Sequence, residues 1–257
     1  GHEMNAVDIM LWGVLPYVVA LVLVAGTIWR YKYDKFGWTT RSSQLYESRL
    51  LRIASPMFHY GLFVVLMGHL MGLLIPKAWT DLVVSQEAYH AVALGAGTVA
   101  GVATLAGIAL LIYRRRTTGP VFLATTRNDK LMYVILVAAI VLGMLATLTG
   151  DHTPTGEHHN YRETVSVWFR SLLVFQPNVE AMAESTWQFK VHILMGFALI
   201  ALIPFSRLVH AFTVPLHYLF RPYVVYRSRD DAPAAPSHGR VRGWDPIGTK
   251  DRERTKP

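Results

Sequence analysis

The 257-residue chain contains no cysteine. Disulfides, thiolate metal ligation, iron–sulfur clusters and covalent c-type haem are therefore excluded. Any iron–sulfur chemistry connected with this chain must come from a partner. Charge is scarce too: 16% of residues are Asp, Glu, Lys or Arg, against about 25% in an average soluble protein. The charges avoid residues 9–29, 53–76, 88–113, 131–150 and 191–206 altogether. No internal repeat is visible, which speaks against the inverted-repeat plan of many transporters. The N-terminus has Glu3 and Asp8 in place of a basic region, so no cleavable signal peptide is expected. Gly1-His2-Glu3 ahead of Met4 reads as an appended remnant.

What is present is 52% apolar side chains, concentrated in runs of membrane-spanning length. A span needs roughly 20 apolar residues at about 1.5 Å rise each. Four runs meet that directly, and the fifth resumes past Arg207 as far as Val214. The expected fold is an all-α membrane protein, a bundle of five transmembrane helices at about 8–30, 52–75, 88–113, 129–150 and 187–214. Lys and Arg decide the orientation. Six lie between the first two spans, five between the third and fourth, and ten from Arg207 onward, while only Lys77, Arg162, Arg170 and Lys190 fall on the other side. The positive-inside rule then puts the N-terminus outside and the C-terminus in the cytoplasm. The net charge of +8 reflects this bias and is no sign of nucleic-acid binding, because the basic residues border apolar spans. Residues 151–186 form the longest external segment. Short helices over 164–173 and 180–187 are expected there, with Trp168 and Trp187 at the membrane interface. Residues 1–7 make a short external segment. Residues 228–257 make a basic cytoplasmic tail, disordered or ordered by a partner.

Four histidines lie in the apolar runs: His59 and His69 in the second, His192 and His210 in the fifth. An imidazole in hydrocarbon is costly and usually faces the bundle interior with a partner. Two on each of two helices is the number required to hold two haem irons between four axial nitrogens. Because the helices are antiparallel, His59 pairs with His210 near the inside and His69 with His192 near the outside. Pairing within one helix fails: ten residues rise about 15 Å, whereas two metal–imidazole bonds need nitrogens about 4 Å apart. Read as one straight helix, His192 to His210 is five turns and about 27 Å, against that shorter step on the second helix. Gly61, Gly68, Gly72 and Gly196 lie within a turn of a ligand and suit either a macrocycle or plain helix packing, as do the pairs Gly68/Gly72 and Gly97/Gly101. Arg207, three residues before His210, suits a haem propionate or simply marks a helix end. His90 lies near the predicted depth of His69, where it suits proton exchange with a quinol or an interfacial role. His152, His158 and His159 read as solvated loop residues, with a short metal-binding tract as the alternative.

Several stretches carry a family likeness. Arg30-Tyr-Lys-Tyr-Asp, Ser55-Pro-Met-Phe-His59, Gly68-His69 and Pro204-Phe-Ser-Arg-Leu-Val-His210 resemble the gamma subunit of respiratory nitrate reductase, with helix order and histidine spacing matching from about residue 8 to 227. The resemblance implies a five-helix, di-haem cytochrome b domain over 8–227, binding two haem b. His59 and His210 would ligate the proximal haem iron, and His69 and His192 the distal one. It implies oxidation of quinol, whether menaquinol or ubiquinol, near the outer face. Electrons would pass through the two haems to an iron–sulfur beta subunit and a molybdenum-containing alpha subunit that reduces nitrate, all at a bacterial cytoplasmic membrane. One departure stands out: a family lysine near the quinol is replaced by Tyr89 and His90, so the quinol-proximal residues here are His69, Tyr89 and His90. Two other readings remain open on the residues alone. One is the same architecture serving a hydrogenase, formate or sulfur-redox complex. The other is an ion or metal transporter, against which stands the lack of intramembrane acids.

Overall fold

The computed structural model describes residues 4–33 and 49–212, with side chains up to residue 209. The expectations for residues 1–3, for the tail 228–257 and for the His210 side chain lie outside the described residues. All described residues belong to one compact unit, Gly1–Leu216. Among them there is no strand, only an isolated antiparallel bridge between His152 and His158.

Five helices are long and apolar enough to cross a membrane. They are α1, Ala6–Tyr33, with one π-helical stretch at Ile9–Val14; α2, Arg49–Leu74; α4, Gln86–Thr117; α6, Arg127–Thr149; and α9, Trp187–Leu202, carried on to Phe205 by a 3-10 turn. Shorter helices fill the connections: α3, Lys77–Thr80; α5, Gly119–Leu123; α7, Val165–Leu173; and α8, Val179–Ala183. Between 11% and 28% of each span's most apolar window is buried inside the protein. The rest presents leucine, valine and aromatic side chains outward, a surface whose natural solvent is lipid.

Local chemistry sets the helix ends. Ser85 caps α4 by accepting from Ala88 N at 3.2 Å. Arg114, Arg115 and Arg116 in its last turn complement the negative end of the dipole, and the helix runs four residues past the expected 113. Thr126 and Asp129 form a reciprocal capping box, which satisfies two otherwise orphaned N–H groups and starts α6 two residues before the expected 129.

Small residues let the spans meet backbone to backbone. A Cβ built on Gly107 of α4 would lie 2.5 Å from Phe58 N of α2, and one on Gly61 of α2 would lie 2.6 Å from Thr104 Oγ1 of α4. Phe58, Ile108 and Leu136 pack together beside this contact, with Leu62, Tyr133 and Leu199 around them.

The segment over 151–186 folds back onto the helix ends and forms the second core. Trp12 and Trp168 meet edge to face at 5.9 Å, and Trp168 Nε1 donates to Trp12 O at 2.8 Å. Trp168 is 2% exposed, which corrects the expectation of an interfacial tryptophan: its one donor is satisfied inside the protein, so nothing requires it to reach water. Trp187 is exposed and opens α9, so the short helix expected over 180–187 ends instead at Ala183.

The largest correction concerns the fifth span. A continuous helix over 187–214 is not observed. The α-helix ends at Leu202, a 3-10 turn covers Ile203–Phe205, Ser206 is extended at φ −131°, ψ 178°, and a second 3-10 stretch runs over Arg207–Phe212. Pro204 has no N–H to continue the α ladder. The five-turn, 27 Å step from His192 to His210 belonged to one straight helix and no longer applies.

Candidate haem-ligating site

His69 of α2 and His192 of α9 face one another. Their ring centres are 6.0 Å apart and their planes are inclined at 47°. Metal–imidazole bonds of ~2 Å on opposite sides of one iron set the nitrogens ~4 Å apart and the ring centres roughly 6 Å apart. The pair therefore has the spacing of two axial ligands on one metal. Of the four expected ligands, these are the two whose side chains the structure brings together.

The tautomer of each described candidate is fixed by its surroundings. His69 Nδ1 lies 2.7 Å from Val65 O, His59 Nδ1 lies 2.7 Å from Ser55 O, and His192 Nδ1 lies 2.9 Å from Ala139 O of α6. A carbonyl only accepts, so Nδ1 carries the proton in all three. Nε2 is left as a lone-pair donor with no hydrogen bond to any described residue. Tying down one ring nitrogen so that the other points its lone pair outward is the outer-shell arrangement of metal-bound histidine.

His159 is the internal contrast. Its Nδ1 lies 3.0 Å from Gly150 O and its Nε2 lies 2.8 Å from Thr164 Oγ1. Both nitrogens are used and the ring is buried, which corrects its reading as a solvated loop residue. His152 and His158 are exposed as expected. Burial lowers the pKa of His159 below the ordinary imidazole value, outweighing the hydrogen bond to Gly150, which raises it. The folded loop therefore declines a proton that the opened loop accepts. The stabilisation is complete above the ordinary value of about 6.5 and is lost progressively as pH falls below it toward the lowered folded value. Hydrogen exchange over 150–164 will be faster at pH 5.5 than at pH 7.5, after correction for intrinsic rates, and His159→Gln will flatten that difference. An unchanged pH dependence in the variant would count against the assignment.

The glycines near the ligands divide into two groups. A Cβ on Gly72 would crowd the Tyr161 phenol, and one on Gly61 would strike Thr104, so these two serve packing. A Cβ on Gly68 or on Gly196 meets nothing within 4 Å, which leaves the backbone beside His69 and His192 open to a planar macrocycle. Gly143 of α6, not singled out in the sequence, forms a wall behind His192: its Cβ would stand 2.8 Å from His192 Cε1. Together with Ala139 O it clamps the imidazole from α6. Only the fold reveals this, because nothing local in the α6 sequence marks either residue.

Among the described residues, no three His, Asp or Glu side chains converge as a metal-ion site. The facing imidazoles of His69 and His192, with open backbone at Gly68 and Gly196, fit a haem as their ligand.

His59 stands ten residues before His69 on α2, and His210 falls in the 3-10 stretch Arg207–Phe212. Arg207 forms a two-point ion pair with Asp129, Nε to Oδ1 at 3.2 Å and NH2 to Oδ2 at 3.1 Å.

At the start of α4, Tyr89 Oη lies 3.4 Å from Tyr161 Oη. The buried Arg162 stacks its guanidinium 4.2 Å from the Tyr89 ring centre and donates to Ile75 O and Thr80 Oγ1. Tyr161 stacks on Phe189, one turn before His192, and burial raises its phenol pKa. It therefore links Phe189 of α9 to Tyr89 of α4. A loop tyrosine with no periodic pattern around it gave no signal in the sequence. His90 is exposed, and Asp151 contacts His152 at 2.9 Å.

The sequence matches the family described as "Nitrate reductase gamma subunit" over residues 8–229. It is 59% identical over 236 residues to the nitrate reductase-like protein NarX of Mycobacterium tuberculosis, a match covering 91% of this chain and 36% of that protein. The chain thus spans about a third of the length of that relative. It is 40% identical over 221 residues to the nitrate reductase gamma chain of Bacillus subtilis, covering 86% of this chain and 98% of the other. With the respiratory nitrate reductase 1 gamma chain of Escherichia coli the identity is 30% over 233 residues, covering 88% of this chain and the whole of the other.

Proposed function

Because the chain belongs to the nitrate reductase gamma subunit family, we propose that it is the haem-carrying membrane subunit through which quinol electrons reach a nitrate-reducing complex. The observation that carries this reading is the His69–His192 pair, 6.0 Å apart between ring centres, with each Nδ1 anchored to a carbonyl and each Nε2 left to donate. In this reading His69 and His192 hold the outer haem. His59, anchored in the same way, holds the inner one with His210, and Arg207 supplies a cation for a propionate at that level. Haems bound there supply one-electron carriers between the two faces of the membrane.

The protein's own contribution is orientation, exclusion of water and acceptance of protons. Carbonyl anchors fix each imidazole before any ligand arrives, which limits reorganisation. Oxidation of a quinol releases two electrons and two protons. His69, Tyr89 and His90 are the quinol-proximal residues of this proposal. Tyr161 and Arg162 hold Tyr89 in place, and the exposed His90 accepts protons toward the outer solution. The Lys and Arg bias orients the N-terminus outside and the C-terminus in the cytoplasm of a bacterial cell, where the iron–sulfur beta and molybdenum alpha subunits are the partners. The basic inner surface suits docking of an acidic soluble partner.

The deciding experiment is a dithionite-reduced minus oxidised spectrum with a pyridine haemochrome assay on the full chain from haem-replete cells. Two b haems per chain are expected. A well-folded preparation without b-type bands would overturn the reading and return the histidines to an ion-binding or structural role.

A further inference from the structure

Four consecutive residues after the end of α9 are each held by a side chain from another span. Arg30 of α1 donates through NH1 to Pro204 O at 2.9 Å and to Ser206 O at 3.2 Å. Asn128 of α6 donates through Nδ2 to Phe205 O. Asp129, the next residue of α6, takes the two-point ion pair from Arg207. The carbonyls past a helix end need partners from side chains, water or a tightened last turn, and here side chains of α1 and α6 supply them. The support is required here because a proline and an extended serine interrupt the ladder, and 3-10 turns hold their hydrogen bonds poorly. His210 follows Arg207 by three residues, one turn of the 3-10 stretch Arg207–Phe212. The orientation of α9 therefore does not determine where the His210 backbone lies. Contacts from α1 and α6 do.

We propose that Arg30, Asn128 and Asp129 are positioning residues for the inner haem, acting through the backbone placement of His210. This rests on the reading of His210 as an axial ligand. Asp129 and Arg207 are mostly shielded, with side chains 8% and 17% exposed. Removing the acid breaks a shielded two-point ion pair, a change larger than loss of a surface pair. Asp129 also closes the capping box of α6 with Thr126, at 3.0 Å and 3.1 Å. One carboxylate thus couples the start of α6 to the segment that carries the ligand.

The test compares Asp129→Asn, Asp129→Glu and Asn128→Ala in the full chain, in membranes with its partner subunits, read by haem content, low-spin EPR and redox titration. Asp129→Asn is expected to retain two haems while shifting the EPR signal and midpoint potential of the inner haem alone, and Asp129→Glu is expected to recover most of that shift. Asn128→Ala, which removes one neutral contact and no charge, tests the same idea if Asp129→Asn does not assemble: a smaller shift at the inner haem is expected. Wild-type signals at both haems, or equal changes at both, would overturn the proposal. His210→Ala separates the two levels of inference. If it leaves both haems bound, the ligand reading itself is wrong. If it removes the inner haem while the Asp129 and Asn128 variants are silent, only the clamp is wrong.

Discussion

His69→Ala and His192→Ala will each lower the haem content from two per chain to one and reduce quinol-dependent electron transfer by at least about 100-fold. The magnitude follows from what each ring supplies. Disturbing a hydrogen bond behind a metal-bound histidine typically costs 10–100-fold in affinity or activity, and these substitutions delete the donor nitrogen itself. Neither ring has a substitute. Among the described residues no third His, Asp or Glu approaches the pair, and His59 lies ten residues away on α2, about 15 Å along the axis. The two variants should resemble one another, since the centres 6.0 Å apart act as one site. His159→Gln is the matched control: it removes a buried imidazole from the same end of the molecule, but one whose nitrogens are both occupied, and it should retain both haems. The measurement is a pyridine haemochrome assay normalised to protein, with quinol-dependent haem reduction followed by stopped flow. Two haems in either alanine variant would show that the apposition is fortuitous.

The five spans were legible in the sequence because membranes impose a strong constraint. Where charge is excluded for twenty residues, little else can form. The helix ends were less so. Arg114 and Arg115 read as the point where the third span leaves the membrane, yet both are buried in the last turn of α4. The break at Ile203–Ser206 was hidden for a different reason. Pro204 signals a bend, but the groups that make a full interruption tolerable, Arg30 and Asn128, lie 174 and 77 residues away. The same separation explains the site. Imidazole identity and helix order predicted that His69 and His192 would meet. The carbonyl that orients His192 belongs to Ala139, 53 residues away, and a backbone carbonyl has no residue type by which to recognise it. Trp168 and His159 were misplaced because both sit in the loop over 151–186, where proximity to water in sequence says nothing of burial once the loop folds onto the helix ends.

Gly143→Val will reproduce much of the loss caused by deleting a ligand, although Gly143 donates nothing to the iron. A Cβ at this position would stand 2.8 Å from His192 Cε1, 3.2 Å from Nδ1 and 3.3 Å from Nε2, so the imidazole cannot stay where it is. Two escapes exist, and each sacrifices something. The ring can rotate, breaking its 2.9 Å bond to Ala139 O and losing the anchor that keeps the proton on Nδ1 and Nε2 free to donate. Alternatively α6 can retreat from α9, opening the contact between the two helices at a cost of about 1–3 kcal/mol for overpacking. The first is the easier path because it moves one side chain rather than a span. Gly143→Val should therefore fold, retain the inner haem and lose the outer haem or convert it to a high-spin form, with Gly143→Ala intermediate. Gly97→Ala is the control on the neighbouring helix: its Cβ would meet only Thr147 Cγ2 at 3.9 Å, an ordinary contact, and both haems should remain low-spin. Reduced-state spectra and EPR of the three variants distinguish these outcomes. Two low-spin b haems of wild-type signature in Gly143→Val would mean that the wall behind His192 has no part in holding the ligand, and that its orientation comes from the metal alone.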